Sequence, residues 1–183
     1  LPAEYEGMKS AVADFFSNEW LQQENSDYEF CRKVVRSMGG SGLLKYVTPL
    51  PSSRDLCFLR YCVAQYSAVA DLLFAMQGLG SFPLSVAGNE EQKNKYLPQV
   101  AQGELISAFA MTEPDAGSDA RAMQLKAEKK NGGYVLNGTK TLISNAGLAD
   151  FYTVFARTSD AAKGISAFIV EANVDGLHAI PME

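Results

Sequence analysis

Apolar residues recur at intervals of three and four through the first hundred positions, then switch to short continuous runs. Val12, Phe15, Phe16 and Trp20 share one helical stripe, as do Phe30, Val34, Val35 and Met38. Gly39-Gly40-Ser41-Gly42 interrupts the period, and Pro49 and Pro51 mark a connecting loop. The strongest helix is predicted from Arg54 to Gln77. Leu59, Cys62, Val63, Tyr66, Val69, Ala70, Leu73 and Met76 line one face of it, and only Arg60, Ser67 and Asp71 are clearly polar on the other. A helix this apolar around its circumference is expected to be buried among others. Asn89-Glu90-Glu91 supplies a capping residue and early acids for a further short helix, which Gly103 closes.

Beyond Gly103 the pattern predicts strands. Leu105 to Met111 is one run, Phe151 to Ala156 and Ile165 to Val170 are two more, and Tyr134-Val135-Leu136 follows Asn131-Gly132-Gly133, whose glycines permit the positive backbone angles of a hairpin turn. There is no internal repeat and no low-complexity segment. The expected organisation is α+β: an all-α domain over residues 1–104, then a β domain over 105–183 built as an antiparallel barrel or sandwich.

Composition narrows the function classes. The chain has 183 residues, 47% hydrophobic and 20% charged, the mix of an ordinary globular protein. A net charge of -5 with interspersed signs argues against a phosphate-tracking or basic membrane-facing surface, so no nucleic-acid partner is expected. No apolar run is expected to reach membrane-spanning length, and the start, Leu1-Pro2-Ala3-Glu4-Tyr5-Glu6, lacks signal-peptide character. Cys31, Cys57 and Cys62 are odd in number and form no C-x-x-C pair, so neither a disulfide framework nor a zinc site is expected. They are expected to fill apolar space in helices, in a cytoplasmic protein (or one of the mitochondrial matrix, if eukaryotic). His178, the single histidine, is expected to be a half-exposed strand residue and no catalyst.

The chemistry is concentrated in Ala110-Met111-Thr112-Glu113-Pro114-Asp115-Ala116-Gly117-Ser118-Asp119, which read locally is a well-capped turn. A second stretch, Gly138-Thr139-Lys140-Thr141-Leu142-Ile143-Ser144-Asn145-Ala146-Gly147, follows the hairpin closely. Together with Gly78-Leu79-Gly80, Gly88, Glu91, Lys93, Tyr96-Leu97-Pro98 and Gly103-Glu104, these stretches resemble the acyl-CoA dehydrogenase family. There a T-E-P-x-A-G-S-D loop and a G-x-K-x-W-I-T/S-N segment frame the flavin ring of FAD. The resemblance covers essentially the whole chain, most specifically residues 78–171.

The resemblance implies a set of site residues. A flavin that takes hydride at N5 gains negative charge along its N1–C2 carbonyl edge, so oriented donors there stabilise the reduced form. Met111 and Thr112 would supply backbone amides, with the Thr112 hydroxyl beside them. Ser144 would bond the N5/O4 edge, with Ile143 and Leu142 against the ring. Ser118, after Gly117, would reach the FAD pyrophosphate or the acyl thioester. Phe109 would lie against flavin or substrate. Plainer readings stand beside these: Phe109 and Ile143 as core, and Ser118 as a turn cap. Glu113 and Asp119 read as structural acids that bond backbone amides, not as a proton-transfer pair.

The resemblance also implies what lies elsewhere. In the family a C-terminal helical bundle supplies the glutamate base, much of the acyl pocket and dimer contacts, so no catalytic base is expected within this chain. The expected activity is α,β-dehydrogenation of an acyl-CoA or acyl-carrier thioester, with an electron acceptor such as electron-transfer flavoprotein. The expected assembly is a homo-oligomer, dimer or tetramer, or a complex with a completing partner chain. Leu142 stands where many members carry tryptophan, which raises the alternative of an acyl-CoA oxidase or flavin monooxygenase. A non-catalytic subunit paired with an active homologue is a third reading. The linker after Gly42 is shorter than the family's.

Overall fold

A computed structural model describes residues 2–161 and 164–181. Helix α1 (Ala3–Phe15) buries Tyr5, Met8, Val12 and Phe15 on one face, and the neighbouring Phe16 stacks on Tyr66 with ring centroids 4.7 Å apart. Trp20 is not on that stripe. The helix ends at Phe15, and Trp20 sits in a single 3₁₀ turn, Glu19–Gln22, edge-on to Phe30. Helix α2 (Tyr28–Gly40) starts where the Asp27 carboxylate accepts the Phe30 amide at 2.8 Å, and it buries Cys31, Val34, Val35 and Met38.

The long helix predicted from Arg54 to Gln77 is two. Helix α3 (Ser53–Val63) stops at Ala64, and helix α4 (Ala68–Ala87) begins when the Ser67 hydroxyl accepts the Ala70 amide at 3.1 Å. Arg60 spans the corner to Asp71 with two hydrogen bonds, 2.9 and 2.6 Å. Periodicity cannot see this break, because Tyr66 keeps the apolar spacing while its ring leaves the stripe to stack on Phe16. Helix α4 then runs ten residues past Gln77, through Pro83. At 20 residues and a mean hydropathy of 1.3 it is long and apolar enough to cross a membrane by length and composition. That corrects the expectation of no such stretch. Half of that window is buried inside the protein, and α4 packs on α2, α3, α5, β1 and β4.

Helix α5 (Glu90–Ala101) carries the anticipated cap in reciprocal form: Asn89 accepts the Gln92 amide at 2.8 Å, and the Gln92 side chain accepts the Asn89 amide at 3.0 Å. Its end lies directly on α2. A Cβ on Gly39 would strike the Gln102 carbonyl, and one on Gly103, at φ +71°, would strike the Val35 carbonyl, so glycine at both positions lets the two backbones touch.

Five strands follow: β1 (Ser107–Ala110), β2 (Lys126–Lys130), β3 (Gly133–Asn137), β4 (Phe151–Arg157) and β5 (Ile165–Glu171). The β2–β3 hairpin turns through Asn131 and Gly132 at φ 52° and 80°, as those residues predict. β4 pairs antiparallel with β5 but parallel with β1, so the sheet is mixed and not wholly antiparallel. Strand direction is set by the long connection from 111 to 150, which residue alternation does not encode. β4 is buried at Phe151 through Val154, as befits a strand covered on both faces.

The helical layer holds the sheet through polar atoms. Gln77, fully buried on α4, donates to the Leu105 carbonyl at 2.9 Å and accepts the Ser107 amide at 2.8 Å. Thr153 on β4 donates to the Gly80 carbonyl at 2.7 Å. Cys31 and Cys62 are buried as expected, but Cys57 is exposed on α3. His178 is exposed and outside any strand, which corrects its expected placement.

Candidate functional site

Two segments distant in sequence, 110–119 and 138–147, lie side by side. The Thr141 amide donates to the Thr112 carbonyl at 2.9 Å, and the Asn145 side-chain amide donates to the Ser107 carbonyl at 3.0 Å. The first segment folds on itself, Glu113 and Ala116 exchanging backbone hydrogen bonds of 3.0 and 3.2 Å.

Beneath both segments lies a buried ion pair. Lys140 Nζ is 2.8 Å from Glu113 Oε1, and the two side chains are 8% and 6% exposed. The same ammonium donates to the Met111 carbonyl at 2.9 Å. Glu113 further accepts the Gln124 amide at 2.6 Å and the Leu125 amide at 3.0 Å. A buried pair survives desolvation only with such extra bonds. Burial pushes the Glu113 carboxyl up, but the Gln124 amide, the Lys140 ammonium and the Leu125 amide outweigh it and hold the group below the usual carboxylate range. Glu113 is therefore ionised at neutral pH and braces backbone. Asp119 does the same on a smaller scale, accepting the Arg121 amide at 3.1 Å. Both acids bond backbone amides, as expected of structural acids.

The second segment is irregular. Leu142 and Asn145 adopt φ 57° and 65°, and Gly147 adopts 80°. Asparagine tolerates the left-handed region, whereas for leucine it is strained. Helix α2 fastens the far end of the segment. Tyr28 donates to the Ala146 carbonyl at 3.0 Å, and Arg32 binds the Leu148 carbonyl at 2.7 Å and Asp150 at 3.0 Å. Asp150 in turn accepts the Ile106 amide at 2.7 Å, beside the start of β1.

The sequence-derived residues fall along this pair of segments. Phe109 is half-buried in β1, its ring 5.0 Å from that of Phe155. Met111 and Thr112 are half-buried just past the strand. Gly117 and Ser118 are exposed on the turn, and Gly117 has no atom within 4 Å of where a Cβ would stand, so nothing in the described protein requires glycine there. Leu142 is 68% exposed, Ser144 is exposed, and Ile143 packs against the core. Among the described residues, the hydroxyls of Thr112, Ser118 and Ser144 have no hydrogen-bond partner, and neither does the Thr112 amide. The fit to a polar ligand is direct: three free hydroxyls, a free amide and open space over Gly117.

One recess lies apart from the two segments and one between them. The first, of about 390 Å³, lies between α5 and the β4–β5 edge, lined by Lys95, Tyr96, Leu105, Phe151 and Glu171. The second, of about 340 Å³, lies between the two segments, lined by Glu113, Pro114, Asp115, Gly138 and Thr139. Neither is lined by Thr112 or Ser144. Sequence patterns do not single out Lys140 or Gln77. Polar side chains are exposed by default, and both of these are buried by partners distant in sequence.

A helical layer pinned through one long helix to a mixed sheet, with two braced loops presenting unpaired donors, defines the class: a two-layer α+β protein. The family models for the acyl-CoA dehydrogenase N-terminal domain and middle domain match residues 2–104 and 108–183. The chain belongs to the acyl-CoA dehydrogenase family. It is 39% identical over 182 residues to an acyl-CoA dehydrogenase of Bacillus subtilis (strain 168), an alignment covering 92% of this chain and 48% of that protein. It is 35% identical over 192 residues to the mitochondrial isovaleryl-CoA dehydrogenase of Pongo abelii, covering 96% of this chain and 45% of that one. A Bacillus anthracis acyl-CoA dehydrogenase solved in complex with FAD superposes with a TM-score of 0.84 at 31% identity, over all of this chain and 33% of its own. The chain thus spans about half the length of the curated relatives it matches.

Proposed function

We propose that this chain is the cofactor-holding half of an FAD-dependent acyl-thioester dehydrogenase, with residues 1–104 as the helical wall and 105–183 as the flavin-bearing β part. FAD, when bound, supplies the ring that accepts hydride from the substrate β carbon. The observation that carries the reading is the set of unpartnered donors on two braced loops in a chain of this family. Thr112, with the Met111 backbone, would hold the carbonyl edge of the ring. Ser144 would bond its opposite edge, Ser118 the pyrophosphate or the acyl thioester, and Phe109, Leu142 and Ile143 would give apolar contact. Oriented donors at an edge that gains negative charge stabilise that charge without reorganising when it appears.

Within this reading the base that removes the α proton comes from outside residues 1–183, and the substrate is an acyl-CoA or acyl-carrier thioester. The acceptor is a protein such as electron-transfer flavoprotein, in a homo-oligomer or a complex with a completing chain. Three unpaired thiols, Cys31, Cys57 and Cys62, suit a reducing compartment, cytoplasmic or mitochondrial. The test uses the full-length protein. Added FAD should give a yellow complex whose visible absorbance is bleached by an acyl-CoA without oxygen. A protein that stays colourless with FAD would reject the reading in favour of a non-catalytic subunit.

A second reading, transfer of electrons to oxygen, is favoured by one observation. Leu142, where the family often places tryptophan, is strained and 68% exposed, and so shields little. Fast reoxidation of the substrate-reduced protein by air would support it, and slow reoxidation would remove it.

A further inference from the structure

We propose that Lys140 is a positioning residue for the cofactor edge, one that aims the Thr112 amide by holding the Met111 carbonyl. This rests on the FAD reading above and adds a role that sequence patterns do not assign. The Met111–Thr112 peptide is trans, so its C=O and N–H point in opposite directions. The Lys140 ammonium takes the C=O at 2.9 Å from the buried side. The Thr112 N–H must then face the other way, where no described residue meets it.

The ammonium is itself held in place. Glu113 fixes it at 2.8 Å, and the Gln124 and Leu125 amides fix Glu113 at 2.6 and 3.0 Å. The next peptide is locked as well, because the Thr112 carbonyl accepts the Thr141 amide at 2.9 Å and the Glu113 amide bonds the Ala116 carbonyl at 3.0 Å. One peptide plane is therefore clamped from below by a charge-assisted bond and left open above. Preorganised donors of this kind bind a developing charge without paying to reorient. Lys140 touches no reacting atom in this scheme; it acts through Thr112.

The test compares the full-length protein with Lys140→Met, Glu113→Gln and, as a purely structural control, Phe74→Leu. Apoprotein is titrated with FAD by flavin fluorescence, and melting temperature is measured with and without FAD. Removing one charge-assisted bond from the clamp should weaken FAD binding by about tenfold or more in Lys140→Met and shrink the FAD-dependent rise in melting temperature. Glu113→Gln removes the charge that fixes the ammonium but keeps the ammonium within reach of the Met111 carbonyl, so it should weaken FAD binding by less than Lys140→Met. Phe74→Leu should lower both melting temperatures together and leave FAD affinity unchanged.

Hydrogen–deuterium exchange on the wild type gives a readout that no variant's folding can obscure. The 110–113 peptide should hold one fast amide in the apoprotein that becomes slow with FAD. Wild-type FAD affinity in Lys140→Met, or an amide at Thr112 that FAD does not protect, would overturn the positioning role while leaving the FAD reading intact. A wild-type protein that binds no FAD would overturn both.

Discussion

Helix α4 and the segment 138–147 meet the same problem, polar atoms buried next to a sheet, and meet it differently. On α4, Gln77, Ser81 and Ser85 are uncharged and buried on a regular helix, and their bonds go to nearby backbone: Leu105, Ser107, and carbonyls one turn back. In 138–147 the backbone is irregular, with φ positive at Leu142, Asn145 and Gly147, and the anchor is a charged pair that reaches across to another loop. The helix satisfies its own backbone and has polar capacity to lend to β1. The loop cannot satisfy its own backbone, so it borrows partners and leaves some donors unpaired on the open side. The first arrangement gives stability; the second, in the function proposed, gives a place for a ligand.

If that contrast is right, damage to the helical region should appear in stability and damage to the loops in binding. The largest effect is expected from Phe74→Ala on α4, a fully buried ring. It should cost about 4 kcal/mol of unfolding free energy by urea titration, with FAD affinity per folded molecule unchanged. A loss below about 1 kcal/mol would mean that the α4 core is looser than its burial indicates. Next, Gln77→Leu keeps the volume but strands the Leu105 carbonyl and the Ser107 amide. It should cost about 2 kcal/mol, and a neutral result would show that β1 does not depend on the helix for its first hydrogen bonds.

The third expectation concerns pH. The folded-state pKa of Glu113 lies below its unfolded value, so the group's contribution is complete above the unfolded carboxylate pKa and is lost as pH falls through the folded one. Urea midpoints measured from about pH 7 down to about pH 3 should fall more steeply for wild type than for Glu113→Gln. Parallel curves would show that the pair carries no titrating stability. The smallest stability effect should come from Ser144→Ala, an exposed residue without an internal partner: within about 0.5 kcal/mol on unfolding, yet a measurable loss of FAD affinity by fluorescence titration. An unchanged affinity would remove Ser144 from the proposed edge.

The fold was legible where the deciding contacts are local. The cap at Asn89, the turn at Asn131-Gly132 and the apolar stripes of α1 and α2 each lie within a few residues of what they control. The candidate site was legible as two short stretches with family character, which the fold brings side by side. What those stretches hide is division of labour. Glu113 and Lys140 brace, Thr112, Ser118 and Ser144 are left free, and Gly117 has open space that the protein itself does not use.

The amino-acid sequence alone determined the change from helical to strand-like halves, the start of α5, the hairpin and the family, because each depends on neighbours along the chain. Only the tertiary structure decided that α3 and α4 are separate, that β1 runs parallel to β4, that Cys57 and His178 face outward, and that a lysine is buried beside a glutamate 27 positions away. Those outcomes depend on which distant surfaces meet. A residue's preference for water or for its neighbours is a local property, whereas the partner that satisfies it is chosen by the fold as a whole.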